Sequence, residues 1–272
     1  MVMMTANHIQ AQTKESGHYA NVNGIKMYYE IHGSGQPLVL LHGGGSTIFT
    51  TFGKILPMLA KTHKIIAVEL QAHGRTGDRN SPESFEQDAD DVAELLKQLN
   101  IIKADVFGFS NGGSTALQIA IRHPDRVRKL IAVSAIYKRD GMYPGFWESM
   151  EKASFNDMPQ LYKDAFLSVT PDQAKLLNMF NKDRARMLSF KDWKAEDIRS
   201  IKIPALIVSS DQDVVRPEHS IEIVRLLPHG RLAIFPGGHG DFMGEAMSQN
   251  FGSKVPELFI AMLEEFLTAT EK

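Results

Sequence analysis

Ser110 has the sequence context of a nucleophile. It lies in the run Gly-Phe-Ser-Asn-Gly (108–112), directly after the apolar residues 104–109 and before a helical pattern. This order is typical of a nucleophile elbow, a strand-to-helix turn in which flanking glycines leave space that a Cβ would fill. Chance produces G-x-S-x-G in about one chain in ten of this length, so the motif needs support from other residues. The alternative is a serine that only caps the helix.

A base and an acid that could activate Ser110 follow two later strand patterns. A serine hydroxyl becomes a good nucleophile when a histidine takes its proton and a carboxylate fixes the tautomer of that histidine. Asp213 lies in the loop after the apolar run 205–208, and His239 lies in the loop after the run 232–235. The chain order Ser110, Asp213, His239 is the one expected when all three lie at one edge of an α/β sheet.

Backbone amides that could bind an oxyanion come from a third loop. The run Leu-His-Gly-Gly-Gly (41–45) ends the strand pattern that begins at Leu38. We expect the N–H of Gly44, assisted by that of Gly43, to join the N–H of Asn111 around the developing negative charge. The alternative, a merely flexible turn, leaves the position of these glycines at a strand end unexplained.

The elements that must position these residues are strands alternating with helices. Asn23-Gly24 predicts an opening hairpin, and the later apolar runs are short and continuous, which is typical of parallel strands covered on both faces. The predicted strands cover residues 19–22, 25–31, 38–41, 65–68, 104–109, 130–133, 205–208 and 232–235. The predicted helices cover residues 52–60, 84–99, 111–123, 217–226 and 254–268. This alternation predicts an α/β fold with a doubly wound sheet, whose functional groups lie at the carboxyl ends of the strands.

Residues 139–199 interrupt the alternation, because they contain helical patterns and no convincing strand. We divide the chain into a flexible N-terminal tail (1–17), a core domain (18–138 and 200–272) and an inserted helical lid (139–199). Large, adaptable apolar side chains in the insertion could line a pocket, or they could bury its own helices. They are Met142, Tyr143, Phe146, Trp147, Met150, Phe155, Met158, Leu161, Tyr162, Phe166, Met179, Phe180 and Met187.

The composition indicates an ordinary globular protein and argues against nucleic-acid and membrane partners. The 272 residues are 43% hydrophobic and 23% charged, as in an ordinary globular protein, and the net charge of −2 predicts no nucleic-acid or membrane partner. The absence of cysteine excludes disulfides and thiolate catalysis and is compatible with the cytoplasm. The N-terminus lacks the apolar segment of a secretory signal, so we expect a cytoplasmic protein.

No cofactor or metal is expected. The histidines lack metal-ligand spacing, and the glycine-rich segments do not match the phosphate-binding patterns. The expected partner is a neutral small molecule, namely an ester substrate, bound by a monomer or a homodimer.

These motifs together resemble the α/β-hydrolase family over nearly the whole chain. The matching segments are the opening hairpin and residues 41–45, 72–75, 108–113, 211–213 and 237–239. The resemblance implies a mostly parallel, eight-stranded sheet. It also implies Ser110 as the nucleophile, His239 as the general base and acid, and Asp213 as the orienting acid, with backbone donors at Gly44 and Asn111.

The resemblance further implies that residues 139–199 form a cap domain, and it leaves two points open. Residues 69–74 (Glu-Leu-Gln-Ala-His-Gly) lack the arginine and the first glycine of the family's usual Asp-x-Arg-Gly-x-Gly, which weakens the subfamily placement. Asp211 is a second candidate acid, although the family's Asp-x-Asp pattern uses the second position, Asp213. His42 is expected to brace its loop and not to react.

The leading hypothesis is a serine esterase that cleaves small carboxylic esters through an acyl-serine. The same residues could instead cleave a carbon–carbon bond or a lactone or form a peracid, since the fold does not separate these reactions. A dehalogenase is disfavoured because that branch carries aspartate at the position of Ser110. The non-enzyme alternative is a small-ligand receptor. The side chains expected to contact the substrate are Phe109, Trp147, Phe242 and Met243.

Overall fold

The computed structural model of the protein describes residues 17–248 and 252–270. Residues 1–16 of the predicted N-terminal tail therefore lie outside the described residues. Gly17, which the prediction assigned to the tail, is instead the first residue of a strand. None of the described helices is both long enough and apolar enough to cross a membrane.

The described residues form a sheet of eight strands. They are β1 (Gly17–Val22), β2 (Ile25–His32), β3 (Gln36–Leu41), β4 (His63–Val68), β5 (Ala104–Phe109), β6 (Val127–Val133), β7 (Ala205–Ser210) and β8 (Gly230–Phe235). The spatial order is β1-β2-β4-β3-β5-β6-β7-β8. The pairs β1–β2 and β2–β4 are antiparallel, and the other neighbouring pairs are parallel. The predicted doubly wound, mostly parallel eight-stranded sheet is confirmed.

Ten α-helices connect or follow the described strands. They are α1 (Ile48–Phe52), α2 (Leu56–Leu59), α3 (Phe85–Gln98), α4 (Asn111–Arg122), α5 (Phe146–Lys152), α6 (Gln160–Val169), α7 (Gln173–Ser189), α8 (Ala195–Arg199), α9 (Pro217–Leu226) and α10 (Val255–Thr268). The predicted helix at 52–60 is wrong, because two short helices occupy this region. Thr47 and Thr50 form a capping box that starts α1 earlier than predicted, and the helix ends at Phe52 with Gly53 as its C-cap.

Helices cover both faces of the sheet, which explains the continuous apolar runs. Val39 and Leu41 of β3 belong to a buried cluster that includes α3 and α4, whereas Leu38 and Leu40 belong to a cluster that includes α1, α2 and α10. Successive side chains of a strand point to opposite faces, so each residue of such a strand needs to be apolar.

The helical insertion lies between β6 and β7, and no strand is present among its residues 139–199. Met158, Phe166, Leu176 and Met179 form a small apolar cluster within it. Its last helix, α8, packs differently, because the fully buried Ile198 belongs to the cluster that contains α3 and α4. The predicted insertion, residues 139–199, therefore ends with a helix that packs against α4 and α9 of the core.

A buried cluster of charged side chains joins the insertion to the core. Arg186 of α7 forms ion pairs with Asp183 of the same helix and with Asp88 of α3, the latter at 2.8 Å. Glu83 lies 3.8 Å from the Arg186 guanidinium, and neither of its carboxyl oxygens has a hydrogen-bond partner among the described residues. Burial raises the pKa of Glu83 to about 9 and the pKa of Asp88 to about 7, against the opposing effect of Arg186.

We predict that Glu83→Gln stabilises the protein at alkaline pH. The folded state retains a proton on Glu83 that the unfolded chain releases near the ordinary glutamate pKa of 4.5, so the stability contributed by this group falls as pH rises toward 9. The neutral glutamine removes this dependence. Each pH unit over which only the folded state keeps the proton corresponds to about 1.4 kcal/mol. We therefore expect a gain of several kcal/mol at pH 8.5, or roughly 10 °C in Tm, and little change at pH 4.5.

Thermal unfolding followed by circular dichroism measures this effect, with Glu196→Gln as the matched control at an exposed glutamate of α8. If the Tm of wild type and of Glu83→Gln changes with pH in the same way, the Glu83 carboxyl has the same pKa in the folded and the unfolded protein, and the prediction is wrong.

Candidate active site

Ser110 lies on a strained turn between β5 and α4. Its backbone has φ 55° and ψ −119°, a conformation that non-glycine residues rarely adopt. A Cβ on Gly108 would overlap the carbonyl oxygen of Gly112, and a Cβ on Gly112 would overlap that of Leu41. The glycines are therefore required for the close approach of α4 to the sheet, as the motif predicts. The Ser110 N–H donates to the Val133 carbonyl of β6 at 2.8 Å, which holds the turn in place.

The structure brings Ser110, His239 and Asp213 into one hydrogen-bonded chain. His239 Nδ1 lies 2.6 Å from Asp213 Oδ1, and His239 Nε2 lies 3.1 Å from Ser110 Oγ. An ionised Asp213 accepts a hydrogen bond from Nδ1–H, which leaves Nε2 as the acceptor for the Ser110 hydroxyl. The Phe109 ring packs against the His239 ring with 4.6 Å between centroids and limits its rotation.

Asp213 is buried and is held by several donors. Ser134 Oγ donates to Asp213 Oδ2, and the N–H groups of Ser210 and Val215 lie 3.3 Å from its two oxygens. Burial raises the pKa of Asp213, but His239 and these donors outweigh that effect and hold it below its usual value. Sequence reasoning missed Ser134, although its position directly after β6 was an available signal.

The alternative acid, Asp211, has a different environment. It is exposed, and its Oδ1 accepts a hydrogen bond from the Gly237 N–H at 2.8 Å. His239 is paired with Asp213 and not with Asp211. The geometry therefore favours Asp213 for the orienting role.

The glycine loop after β3 leaves one amide available. The Gly43 N–H donates to Thr51 Oγ1 at 3.3 Å, and the Gly45 N–H donates to His73 Nε2 at 3.3 Å. Neither the Gly44 N–H nor the Asn111 N–H has an acceptor among the described residues. The Gly43 N–H, expected to assist in the oxyanion hole, already has an acceptor, so the structure favours the Gly44 and Asn111 N–H groups for this role.

Two buried histidines brace this loop. His42 Nδ1 donates to the Gly43 carbonyl at 2.7 Å, and its Nε2 accepts from the Leu70 N–H at 3.0 Å. His73 Nδ1 donates to the Gln71 carbonyl, so its Nε2 is free to accept from Gly45. Burial lowers the pKa of His42 to about 3 and also lowers that of His73, so both rings are neutral. This arrangement matches the bracing role expected for His42.

A cavity of about 250 Å³ lies between the insertion and the glycine loop. Gly44 and Gly45 form part of its wall, and a Cβ on the adjacent Gly43 would lie 3.4 Å from Ser110 Cβ. The cavity therefore reaches the loop that lies beside Ser110, although Ser110 is not one of its lining residues. Its apolar lining comes from the insertion and includes Met150, Met158, Tyr162, Met179, Phe180 and Met187.

None of the four side chains expected to contact substrate is among the residues that line this cavity. Phe242 and Met243 are fully buried in the core cluster, where Phe242 packs against Phe259 of α10 with 5.0 Å between ring centroids. The Trp147 indole N–H donates to the Arg139 carbonyl, and the ring packs in a cluster outside the cavity lining. Phe109 is buried against His239. Packing therefore occupies Phe242, Met243 and Trp147, whereas Phe109 lies against the His239 ring, and substrate contact by these side chains stays a prediction.

Asp183 of α7 is a cavity residue that sequence reasoning missed. Its Oδ1 accepts from the Asn111 side-chain amide at 2.9 Å, beside Gly44. A single aspartate within a helix carries no sequence signal that distinguishes it from other polar helix residues.

Comparison with known proteins identifies the family. The family model of the α/β-hydrolase fold matches residues 36–178 of the chain. The chain belongs to the α/β-hydrolase fold family. Family membership makes the protein a hydrolase, and its eight-stranded sheet is the fold of this family.

Relatives of similar length span several kinds of hydrolase. An Azorhizobium caulinodans protein named as the carbamate hydrolase RutD is 26% identical over 268 residues, with 91% of this chain and 97% of the relative covered. A Pseudomonas putida 2-hydroxy-6-oxo-2,4-heptadienoate hydrolase is 27% identical over 284 residues, with 94% and 98% covered. The structure of the esterase RhEst1 from Rhodococcus sp. ECU1013 is similar with a TM-score of 0.76 at 22% identity, covering 94% of this chain and 100% of that one.

We predict that Asp213→Asn slows the reaction of Ser110 with a fluorophosphonate probe by about 10³- to 10⁴-fold, because asparagine favours the wrong tautomer of His239. Asp211→Asn is the matched control and should react within about twofold of wild type, since its amide oxygen can still accept from Gly237. Labelling rates measured by intact-protein mass spectrometry report the effect. An equal loss in both variants would contradict the assignment of Asp213.

Proposed function

We propose that the protein is a serine hydrolase that cleaves small carboxylic esters through an acyl-serine intermediate. The observation that carries the proposal is the hydrogen-bonded chain from Ser110 through His239 to Asp213, beside two backbone N–H groups that lack acceptors among the described residues. Acyl transfer needs these parts together: a nucleophile, its base, an orienting carboxylate and donors for the oxyanion.

Acylation begins when Ser110 Oγ attacks the ester carbonyl carbon. His239 Nε2 takes the hydroxyl proton, and the buried Asp213 carboxylate stabilises the resulting imidazolium. The carbonyl oxygen becomes an oxyanion that the N–H groups of Gly44 and Asn111 bind. Collapse of the tetrahedral intermediate breaks the ester C–O bond, and His239 returns the proton to the departing alcohol.

Deacylation repeats these steps with water. His239 removes a proton from a water molecule that attacks the acyl-serine, and the same two amides bind the second oxyanion. Collapse releases the carboxylic acid and returns the proton to Ser110.

The cavity supports a short acyl chain. Its volume of about 250 Å³ lies below the roughly 300 to 1,000 Å³ of pockets that hold drug-sized ligands. Methionine and phenylalanine side chains dominate its apolar wall, and an acyl chain can bury its methylene groups against them.

We predict that the purified protein hydrolyses 4-nitrophenyl butyrate and that Ser110→Ala abolishes this activity, because the variant lacks the nucleophile. Release of 4-nitrophenolate measures turnover, and fluorophosphonate labelling should map to Ser110. The same assay series should include a lactone, a ring-cleavage diketone and peroxide with acetate.

If the protein turns over one of those substrates faster than it hydrolyses esters, that reaction and not ester hydrolysis is its activity. Ligand binding without labelling or turnover would favour a receptor.

We also predict a preference for short over long acyl chains. The specificity constant kcat/KM should be highest between the acetyl and hexanoyl esters and should fall for decanoyl and longer esters. Phe180→Ala enlarges the cavity and should shift the optimum to longer chains, whereas Leu258→Ala, at an exposed residue of α10, should leave it unchanged. Better hydrolysis of long-chain than of short-chain esters by the wild type would contradict the role of this cavity.

A further inference from the structure

The Asp183 carboxylate lies where the cavity meets the oxyanion loop. Its Oδ1 accepts hydrogen bonds from the Asn111 side-chain amide and from Arg186. Its Oδ2 has no hydrogen-bond partner among the described residues and lies 2.5 Å from the position that a Cβ on Gly44 would occupy. One carboxylate oxygen of Asp183 therefore lies beside Gly44 without a donor among the described residues.

The other charged side chains of the cavity lining do not pair with Asp183. The other acidic residue of the lining, Asp157, is exposed and accepts hydrogen bonds from the N–H and hydroxyl of Ser154. The cationic residue of the lining, Arg184, donates to the backbone carbonyls of Met150, at 3.1 Å, and of Glu151. Asp183 thus introduces a hydrogen-bond acceptor into a largely apolar wall.

Asp183 is held in its ionised form. Burial raises the pKa of its carboxyl, but the charge of Arg186 and the hydrogen bond from its guanidinium outweigh this effect and lower the pKa below its usual value. The Asp183 side chain is 15% exposed and Oδ2 is not fully buried, so water in the cavity can still reach this oxygen. A ligand that fills the cavity displaces that water, and an N–H or O–H group on the ligand would replace the lost hydrogen bond.

We propose that Asp183 is a specificity-determining residue that binds a hydrogen-bond donor on the acyl chain of the ester. The favoured substrate class is a short ester whose acyl chain ends in an amine or a hydroxyl, and esters that end in a carboxylate are disfavoured by charge repulsion. This inference rests on the proposed function, because that function places the carbonyl at Gly44 and the acyl chain in the cavity.

Four small esters that differ in the end group of the acyl chain test the proposal. Ethyl butanoate, ethyl 3-hydroxypropanoate and ethyl 3-aminopropanoate are nearly isosteric and end in a methyl, a hydroxyl and an ammonium group. Monoethyl malonate ends in a carboxylate. For the wild type we expect kcat/KM to decrease in the order ammonium, hydroxyl, methyl, carboxylate.

Asp183→Asn should reduce the differences in kcat/KM among the four esters. The ratio of kcat/KM for the ammonium ester to that for the methyl ester should fall roughly 10- to 100-fold, the effect expected for a hydrogen bond to a charged group. The hydroxyl ester should change less, because the amide oxygen of asparagine still accepts. A ratio of substrates is independent of the fraction of active protein, so a purely structural role for Asp183 would not move it.

Asp157→Asn is the matched control, since it neutralises the other carboxylate of the cavity lining and should leave the ratios unchanged. Ratios that stay within about twofold in Asp183→Asn, or that change equally in Asp157→Asn, would overturn the proposal.

Binding to Ser110→Ala separates this inference from the proposed function. Calorimetry with ethyl 3-aminopropanoate and ethyl butanoate measures recognition without turnover, in Ser110→Ala and in the double variant with Asp183→Asn. Tighter binding of the ammonium ester that depends on Asp183 would support the inference even if wild type hydrolysed none of the esters. Equal binding of the two esters to Ser110→Ala would overturn it even if both were hydrolysed.

Discussion

The close approach of α4 to the strands beneath it is the constraint on which the site depends. Gly108 and Gly112 allow the first turn of α4 to contact backbone carbonyl groups of the elbow and of β3. The same approach forces Ser110 into a positive φ and places Asn111 beside the loop that follows β3. A side chain at either glycine would separate the elbow from that loop. Backbone packing therefore fixes the distance between the proposed nucleophile and its proposed oxyanion donors.

Hydrogen bonding around the site leaves a small set of groups free to react. The amides on either side of Gly44 are occupied by Thr51 and His73. Asp213 receives donors from neighbouring elements, and its pairing with His239 directs the other ring nitrogen toward Ser110. Buried polar groups are costly when they are unpaired. Groups that already have a partner are therefore not available to bind the substrate, and only a few groups of the site remain available.

The insertion adds both an apolar wall and a charge to this arrangement. A carboxylate near the amides proposed to bind the oxyanion opposes that binding, and the pairing of Asp183 with Arg186 and with the Asn111 side chain offsets this effect. Arg186 in turn is tied to Asp88 of α3. Removing one member of such a buried network leaves another charge uncompensated. The charge in the cavity and the attachment of α7 to the core therefore depend on the same few residues.

The amino-acid sequence by itself determined the sheet, the helices on its two faces and the three loops that carry Ser110, Asp213 and His239. These features follow from local rules: apolar periodicity, glycines at strand ends and the order of strands along the chain. Tertiary structure alone decided that the Gly43 N–H is occupied, that Phe242 is a core residue and that Asp183 reaches the cavity. Side-chain direction and hydrogen-bond partners depend on residues distant in the chain, so no local pattern could reveal them.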